Sequence, residues 1–229
     1  MKKRVKKPKS PGPLLEVYRI LFGQWGPQGW WPGQTRLEII VGAILTQNTA
    51  WTNVEKAIRR LKQERALDLK VLRDADNAVL AEWIRSAGYF NVKARRLKSF
   101  VNMMFDGCRG SLNRLFARDT ASLRNLLLDV NGIGPETADS ILLYAGNRPV
   151  FVVDAYTRRL MIRHGWAPRD VTYDELASRF TDALPRNERL FNEYHALIVM
   201  LGKTYCRSKP LCEKCPLRGF LPPGGPERL

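Results

Sequence analysis

The stretch Leu126–Arg159, LLLDVNGIGPETADSILLYAGNRPVFVVDAYTRR, contains the clearest structural signal in the chain. Its first part predicts a helix, a tight turn at residues 131–134 (Asn-Gly-Ile-Gly) and a second helix. Pro135 would occupy the first position of that helix, where its missing N–H costs nothing. Gly132 and Gly134 allow positive φ angles and a close approach of the backbone to a ligand. The backbone N–H groups at such a helix start can bind a phosphate.

Hydrophobic residues recur at helical spacing along nearly the whole chain, whereas strict alternation is almost absent. Only residues 148–153 look like a short strand. The sequence therefore predicts an all-α protein. The ends differ from this pattern, because residues 1–13 hold six Lys or Arg and the tail from Pro216 is rich in Pro and Gly. We expect the first to be a disordered basic tail and the second to have little regular structure.

The composition is that of a folded globular protein with a strongly basic charge balance. The 229 residues include 38 Lys and Arg against 22 Asp and Glu, which gives a net charge of +16. Such a balance indicates a polyanionic partner, either nucleic acid or an anionic membrane surface. No apolar run reaches the ~18 residues that a membrane span needs, and no signal region follows the basic start. No basic amphipathic helix stands out from the core helices, which argues against a membrane-surface protein. We expect a cytoplasmic protein that is associated with the nucleoid and does not bind membranes.

The joint pattern resembles the endonuclease III superfamily of helix-hairpin-helix DNA glycosylases. The matching motifs, outside the hairpin itself, are Leu45-Thr46-Gln47-Asn48-Thr49, Asn91-Val92-Lys93-Ala94, Val152-Val153-Asp154 and Tyr194-His195-Ala196-Leu197-Ile198 with Gly202-Lys203 and Cys206. Together they cover about residues 14 to 217. No single motif is specific, but their combination and order are.

The resemblance implies a two-lobed, all-helical fold. A six-helix barrel lobe would span 35–146 and end in the hairpin. A second lobe would combine N- and C-terminal helices, 14–34 and 147–205, followed by a cysteine loop and tail at 206–229. The target base of damaged double-stranded DNA would be flipped out of the helix into the cleft between the lobes. We expect the protein to act as a monomer.

Asp154 is the first candidate catalytic residue that the resemblance implies. Cleavage of an N-glycosidic bond builds positive charge on the deoxyribose, and a nearby carboxylate can stabilise that charge or orient the attacking water. Asp is also a favoured helix cap, so Asp154 could simply cap the helix predicted at residues 155–164. The two roles are compatible.

Glu136 departs from the pattern of family members that also cut the DNA strand. Those members carry at this position a Lys that forms a Schiff base with the sugar. A carboxylate cannot form an imine, so water is the expected nucleophile. The Trp30-Trp31-Pro32 segment and the Gly134–Asp139 segment resemble the branch that removes 3-methyladenine. An alkylated purine carries positive charge, so Trp30, Trp31, Trp51 and Glu136 are candidate residues of the base pocket. Each of these residues also has an ordinary structural explanation. The tryptophans could pack against neighbouring residues, and Glu136 could be a solvated first-turn carboxylate that the helix dipole favours.

Several residues are candidate DNA contacts. Gln47 lies where family members push a side chain into the gap left by the flipped base. Further candidates are four hairpin residues and one lysine in the Gly-Lys motif near the cysteine loop: Gly132, Ile133, Gly134, Thr137 and Lys203. Further candidate phosphate contacts are Lys93, Arg95, Arg96, Arg158 and Arg159. For any one of these basic residues a solvated surface position is an equal alternative.

The cysteine loop also departs from the family. Three cysteines, Cys206, Cys212 and Cys215, lie within ten residues, but no fourth follows them. A [4Fe–4S] cubane needs four ligands, and Cys108 is expected in the other lobe. We expect no cofactor, while a cluster with an unusual fourth ligand and a zinc site using His195 stay open.

The leading hypothesis is a monofunctional DNA glycosylase for alkylated purines. A bifunctional glycosylase and AP lyase for oxidised pyrimidines is the first alternative, and Glu136 argues against it. A DNA-binding helix-hairpin-helix module without chemistry is the second, and Asp154 argues against that.

Overall fold

The computed structural model describes residues 13–229, and the basic stretch before Pro13 lies outside them. Those residues fold into helices that form two compact units. The inserted unit is Trp31–Arg148, and the terminal unit joins the described residues up to Trp30 with Pro149–Leu229. The expected lobes had bounds of 35–146 and of 14–34 with 147–205. No helix in the described part of the chain has the length and apolar character to cross a bilayer.

The prediction of an all-α fold is confirmed. The helices of the inserted unit are α2 (Arg36–Leu45), α3 (Trp51–Gln63), α4 (Leu69–Asp74), α5 (Asn77–Trp83), α6 (Phe90–Cys108), α7 (Leu112–Phe116), α8 (Thr120–Leu128) and α9 (Pro135–Ser140), and a π-helical turn, Ile141–Ala145, continues α9. Those of the terminal unit are α1 (Leu14–Trp25), α10 (Ala155–Arg163), α11 (Tyr173–Ala183) and α12 (Glu188–Thr204). Short 3₁₀ turns complete both units.

The short strand predicted at residues 148–153 is wrong. The segment is not helical, but no β-strand is assigned anywhere in residues 13–229, so it has no ladder partner. Its apolar residues are buried by side-chain packing instead. The ring of Phe151 stacks on Phe180 of α11 with centroids 3.9 Å apart. Burial, rather than sheet formation, explains the run of β-branched residues here.

Side-chain caps explain where many of the helices begin. A Ser, Thr, Asp or Asn side chain at the cap accepts a hydrogen bond from a backbone N–H of the first turn. That N–H has no acceptor within the helix itself. The capping residues are Thr35, Asp68, Ser111, Asp119, Asp154, Thr172 and Asn187. Thr172 forms a full capping box with Glu175. The start of α9 differs, with Gly134 at the cap and Pro135 in the first turn.

The predicted helix-hairpin-helix is formed by α8, the turn and α9. Arg124 of α8 and Asp139 of α9 clamp its two arms with a bidentate pair of hydrogen bonds, 2.7 and 3.2 Å long. Asp139 is buried, so the pair holds both helices in one orientation. Gly132 has a φ of +87° at the turn. A Cβ at that position would overlap the stem of Arg96, so only glycine fits.

Lys93 is a core residue, and its prediction as a phosphate contact is wrong. The side chain is 1% exposed. Its ammonium donates to the carbonyls of Leu45 (2.9 Å) and Ala87 (2.8 Å) and to Thr49 Oγ1 (2.6 Å). Burial lowers the pKa of Lys93 to about 8, and the charge of Arg96 acts in the same direction. Lys93 thus ties α6 to the end of α2 and to the loop after it.

The substitution Lys93→Met should lower the free energy of unfolding by about 2–4 kcal/mol, because two buried carbonyls and the half-buried Thr49 hydroxyl lose their donor. Urea denaturation followed by circular dichroism measures this. Lys56→Met, at an exposed position on α3, should change it by less than about 0.5 kcal/mol. Equal small effects of both substitutions would contradict the structural role of Lys93.

Helices α10 and α12 pack closely because α12 carries a glycine at their contact. A Cβ on Gly202 would overlap the ring of Tyr156 in α10. Gly202 and His195 are seven residues apart on α12, so they lie on the same helix face. The close approach at Gly202 therefore helps to set the distance between His195 and the N-terminal end of α10.

The substitution Gly202→Ala should destabilise the protein by about 1–3 kcal/mol through overpacking against Tyr156. The matched control is Gly23→Ala in α1, where an added Cβ meets no atom within 4 Å. That change should raise the stability by about 0.5–1 kcal/mol, as expected for a helix interior. Thermal and urea unfolding of both variants test the pair. A Gly202→Ala protein as stable as the Gly23→Ala protein would contradict the proposed contact.

Candidate functional site

Asp154 lies at the N-cap of α10, as the sequence predicts for a capping role. Its Oδ1 accepts hydrogen bonds from Thr157 N (2.7 Å) and Thr157 Oγ1 (2.9 Å). Thr157 is fully buried, so this oxygen is held by a rigid partner. Asp154 therefore serves as a helix cap with one oxygen, and its second oxygen is not part of that cap.

The second oxygen of Asp154 faces a histidine. Oδ2 lies 3.6 Å from His195 Nε2, and both side chains are largely buried. Burial raises the pKa of the Asp154 carboxyl, but His195 and the hydrogen bonds from Thr157 outweigh it and hold this pKa below its usual value. The carboxylate is therefore negative at neutral pH, which is the state that can stabilise a positively charged sugar.

Gln47 is tied to the hairpin turn within the inserted unit. Its Nε2 donates to Gly132 O and to Thr137 Oγ1, both at 2.9 Å. Its Oε1 accepts a hydrogen bond from Arg96 of α6. The structure thus joins four predicted DNA contacts in one network: Gln47, Arg96, Gly132 and Thr137. Because all of these groups already have partners, insertion of Gln47 into DNA stays a prediction.

The other hairpin residues divide into core and surface. Ile133 is 4% exposed and Thr137 is 6% exposed, so their side chains pack inside the turn. Gly134 and Glu136 are exposed. Glu136 lies in the first turn of α9, where a carboxylate is favoured by the helix dipole. No lysine stands at this position to form an imine.

Two predicted pocket residues, Trp31 and Trp51, meet in the inserted unit. Their ring centroids are 4.9 Å apart in an edge-to-face arrangement, and Tyr144 lies 4.8 Å from Trp31. Trp51 Nε1 donates to Glu55 Oε1 at 2.8 Å. Both indoles line a cavity of about 320 Å³ that is also lined by Glu38 and Glu55. Glu38 is paired with Lys62 at 2.8 Å.

The remaining predicted contacts are more dispersed. Trp30 belongs to the terminal unit and is half-buried. Lys203 is exposed in the last turn of α12. Arg158 donates to the carbonyls of Val171 and Arg169, so it anchors a loop of its own unit. A phosphate contact by Arg158 would compete with these bonds.

Tyr89 is a candidate that sequence reasoning missed. It is 73% exposed, the highest value among the exposed large hydrophobic residues. Its φ of 46° is left-handed, which is unusual for a bulky residue and points to a functional constraint. Gly88 precedes it with a φ of 65°, and α6 begins directly after it. The Gly-aromatic pair before the Asn91 motif was the available signal.

The three cysteines converge on one small cavity in the terminal unit. Cys206, Cys212 and Cys215 all line it, together with Arg163 and His164. The buried Arg163 guanidinium donates to Cys206 Sγ (3.3 Å), Arg207 O (2.6 Å) and Ser208 O (2.9 Å). Burial raises the pKa of the Cys212 and Cys215 thiols.

These residues do not fit a [4Fe–4S] cluster. The loop supplies three thiols where a cubane needs four ligands, and the last cysteine of the chain is Cys215. The cavity is about 10 Å³, the size of a single water. Within residues 13–229 no three His, Cys, Asp or Glu side chains are grouped to hold a metal ion. His195, the candidate zinc ligand, lies beside Asp154.

Comparison with known proteins places this geometry in a family. Residues 41–186 match the model of the HhH-GPD superfamily base excision DNA repair protein. The "Putative DNA repair glycosylase" of Methanocaldococcus jannaschii is 46% identical over 209 residues, which cover 90% of this chain and 94% of that protein.

Solved structures agree with the sequence match. The H. pylori 3-methyladenine DNA glycosylase MagIII, bound to 1,N6-ethenoadenine, superposes with a TM-score of 0.73 at 29% identity, over 83% of this chain and 97% of that one. A non-covalent endonuclease III–DNA complex has the same fold, with a TM-score of 0.79 at 20% identity over 93% and 95% of the two chains. The chain is a member of the HhH-GPD superfamily of base excision DNA repair proteins, with an endonuclease III-like fold.

Proposed function

We propose that the protein hydrolyses the N-glycosidic bond of an alkylated purine such as 3-methyladenine in duplex DNA and leaves the strand intact. The observation that carries this proposal is the buried Asp154 carboxylate at the N-cap of α10 in a chain of a base-excision repair family, together with Glu136 at the position of the imine-forming lysine. As the bond to the base breaks, the deoxyribose becomes positively charged. The Asp154 carboxylate stabilises that charge and orients the attacking water.

Two residues of the inserted unit support the proposal that the strand stays intact. Glu136 cannot form an imine. Lys93 is committed to three oxygen acceptors in the core of the inserted unit. Residues 120–140, which form the hairpin, contain no lysine, and water is the nucleophile in this mechanism.

The proposal of an alkylated purine as substrate rests on the positive charge of such a base and on the aromatic surface of the inserted unit. A purine of DNA that is methylated on N3 or N7 is cationic and is already a good leaving group. Trp31 and Trp51 supply π surface beside the Glu55 carboxylate, and such surfaces attract cations. The 29% identical H. pylori relative, which is named as a 3-methyladenine glycosylase, supports the same class.

DNA binding draws on the basic charge and on Tyr89. A net charge of +16 favours contacts with phosphates. Tyr89 presents an exposed ring on a strained backbone, and an aromatic ring can stack on an unpaired base. We assign Tyr89 to this role at the site of damage. The cysteine loop, with three thiols and Arg163, acts in this proposal without a cofactor.

The decisive experiment measures base release from methylated duplex DNA. The wild-type protein should release 3-methyladenine, and strand breaks should arise only after alkali. Asp154→Asn should lower the single-turnover rate on the order of 100-fold or more. Asn caps helices as well as Asp does, so the loss would not come from the cap.

The matched control is Asp119→Asn, which alters the N-cap of α8, where Asp119 accepts from Ser122 N at 2.9 Å. This variant should keep the wild-type rate. Failure to release alkylated bases would overturn the substrate class. Strand breaks without alkali would instead favour a bifunctional glycosylase and lyase, and unchanged release by Asp154→Asn would remove the assignment of Asp154.

The substitution Tyr89→Ala should lower kcat/KM on damaged duplex DNA about 10-fold, because one base-stacking contact is worth about 1–3 kcal/mol. Stability should change little, since the ring is exposed. Val79→Ala, at a 43% exposed site on α5, is the control and should leave kcat/KM unchanged. A Tyr89→Ala protein with wild-type kcat/KM would contradict the assigned role.

A further inference from the structure

The two oxygens of Asp154 have different surroundings, which separates their roles. Oδ1 accepts two hydrogen bonds from Thr157, at 2.7 and 2.9 Å. These bonds spread its negative charge over the start of α10 and fix the plane of the carboxylate. Oδ2 has no part in the cap, so it is the oxygen whose electrons are available to a sugar cation or a water molecule.

His195 is the side chain that borders this available oxygen. Its Nε2 lies 3.6 Å from Oδ2, and the residue is 5% exposed. His195 comes from the middle of α12, 41 positions after Asp154 in the chain. The close packing of Gly202 against Tyr156 fixes α12 against α10 near this contact. The imidazole therefore reaches Oδ2 from a rigid support.

We propose that His195 is a positioning residue for Asp154, which holds Oδ2 in the orientation that the glycosidic reaction requires. This inference rests on the proposed function and adds a residue to its site. An imidazole with a hydrogen on Nε2 would point a donor at Oδ2. With Oδ1 bound by Thr157 and Oδ2 facing His195, the carboxylate has one orientation before substrate arrives, and this preorganisation favours the transition state.

The position of Nε2 provides a sharp test. A glutamine amide nitrogen can reach about the same place as Nε2, whereas an asparagine amide nitrogen reaches about the place of Nδ1. His195→Gln should therefore keep the single-turnover rate of 3-methyladenine release within about 5-fold of wild type. His195→Asn and His195→Ala should lower it on the order of 10- to 100-fold, as expected for a misplaced catalytic group. KM should change less than about 3-fold in all three variants, since His195 acts on Asp154 rather than on the bound DNA.

Tyr194→Phe serves as the matched control for loss of stability. Tyr194 neighbours His195 on α12 and is also buried, but its hydroxyl donates to Leu14 O at 2.9 Å. Loss of this bond should lower the thermal stability and leave the rate unchanged. The melting temperature of each His195 variant, measured alongside, identifies any loss that comes from unfolding.

The outcomes are distinguishable. If the wild-type protein releases no alkylated base, the proposed function fails and takes this inference with it. If wild type is active and Asp154→Asn is not, but all three His195 variants keep the wild-type rate, the function stands and the positioning role is overturned. Equal losses in His195→Gln and His195→Asn would also overturn it, because they would indicate a role in packing alone.

Discussion

The proposed chemistry depends on a carboxylate that stays negative although it is largely buried. Asp154 loses water on burial, which disfavours its charge. The contact with His195 and the hydrogen bonds from Thr157 outweigh this effect of burial and hold the pKa of Asp154 below its usual value. The same bonds start α10. One side chain thus caps the helix with Oδ1 and presents the charge needed for the proposed chemistry on Oδ2.

In the inserted unit, the side-chain amide of Gln47 likewise joins several elements through hydrogen bonds. This side chain joins the hairpin turn, through Gly132 and Thr137, to Arg96 of α6. A Gln47 side chain that enters DNA must first exchange these bonds for bonds to bases or phosphates. Tyr89, in contrast, is already exposed and needs no such exchange. Contact with DNA would therefore break existing hydrogen bonds of Gln47 but none of the Tyr89 ring.

Local sequence patterns predicted the features that depend on neighbouring residues. The hairpin followed from its glycines and Pro135, and the cap at Asp154 followed from the preference of Asp for helix starts. Contacts between distant segments were beyond such patterns. The burial of Lys93 depends on carbonyls from two other segments, and the place of His195 depends on how α12 packs on α10. Tyr89 was missed because exposure and a left-handed backbone are properties of the folded chain.

In the proposed mechanism, the Asp154 carboxylate stabilises positive charge on the sugar. Duplex DNA with a cationic pyrrolidine in place of one deoxyribose mimics that charge, and an uncharged tetrahydrofuran site is its neutral counterpart. Dissociation constants for both duplexes, measured with wild type and Asp154→Asn, test this role of Asp154 directly. Wild type should bind the cationic site at least about 10-fold more tightly than the neutral site, as expected for a transition-state mimic, and Asp154→Asn should lose that preference. Equal binding of the two duplexes by wild type, or an unchanged preference in the variant, would contradict it.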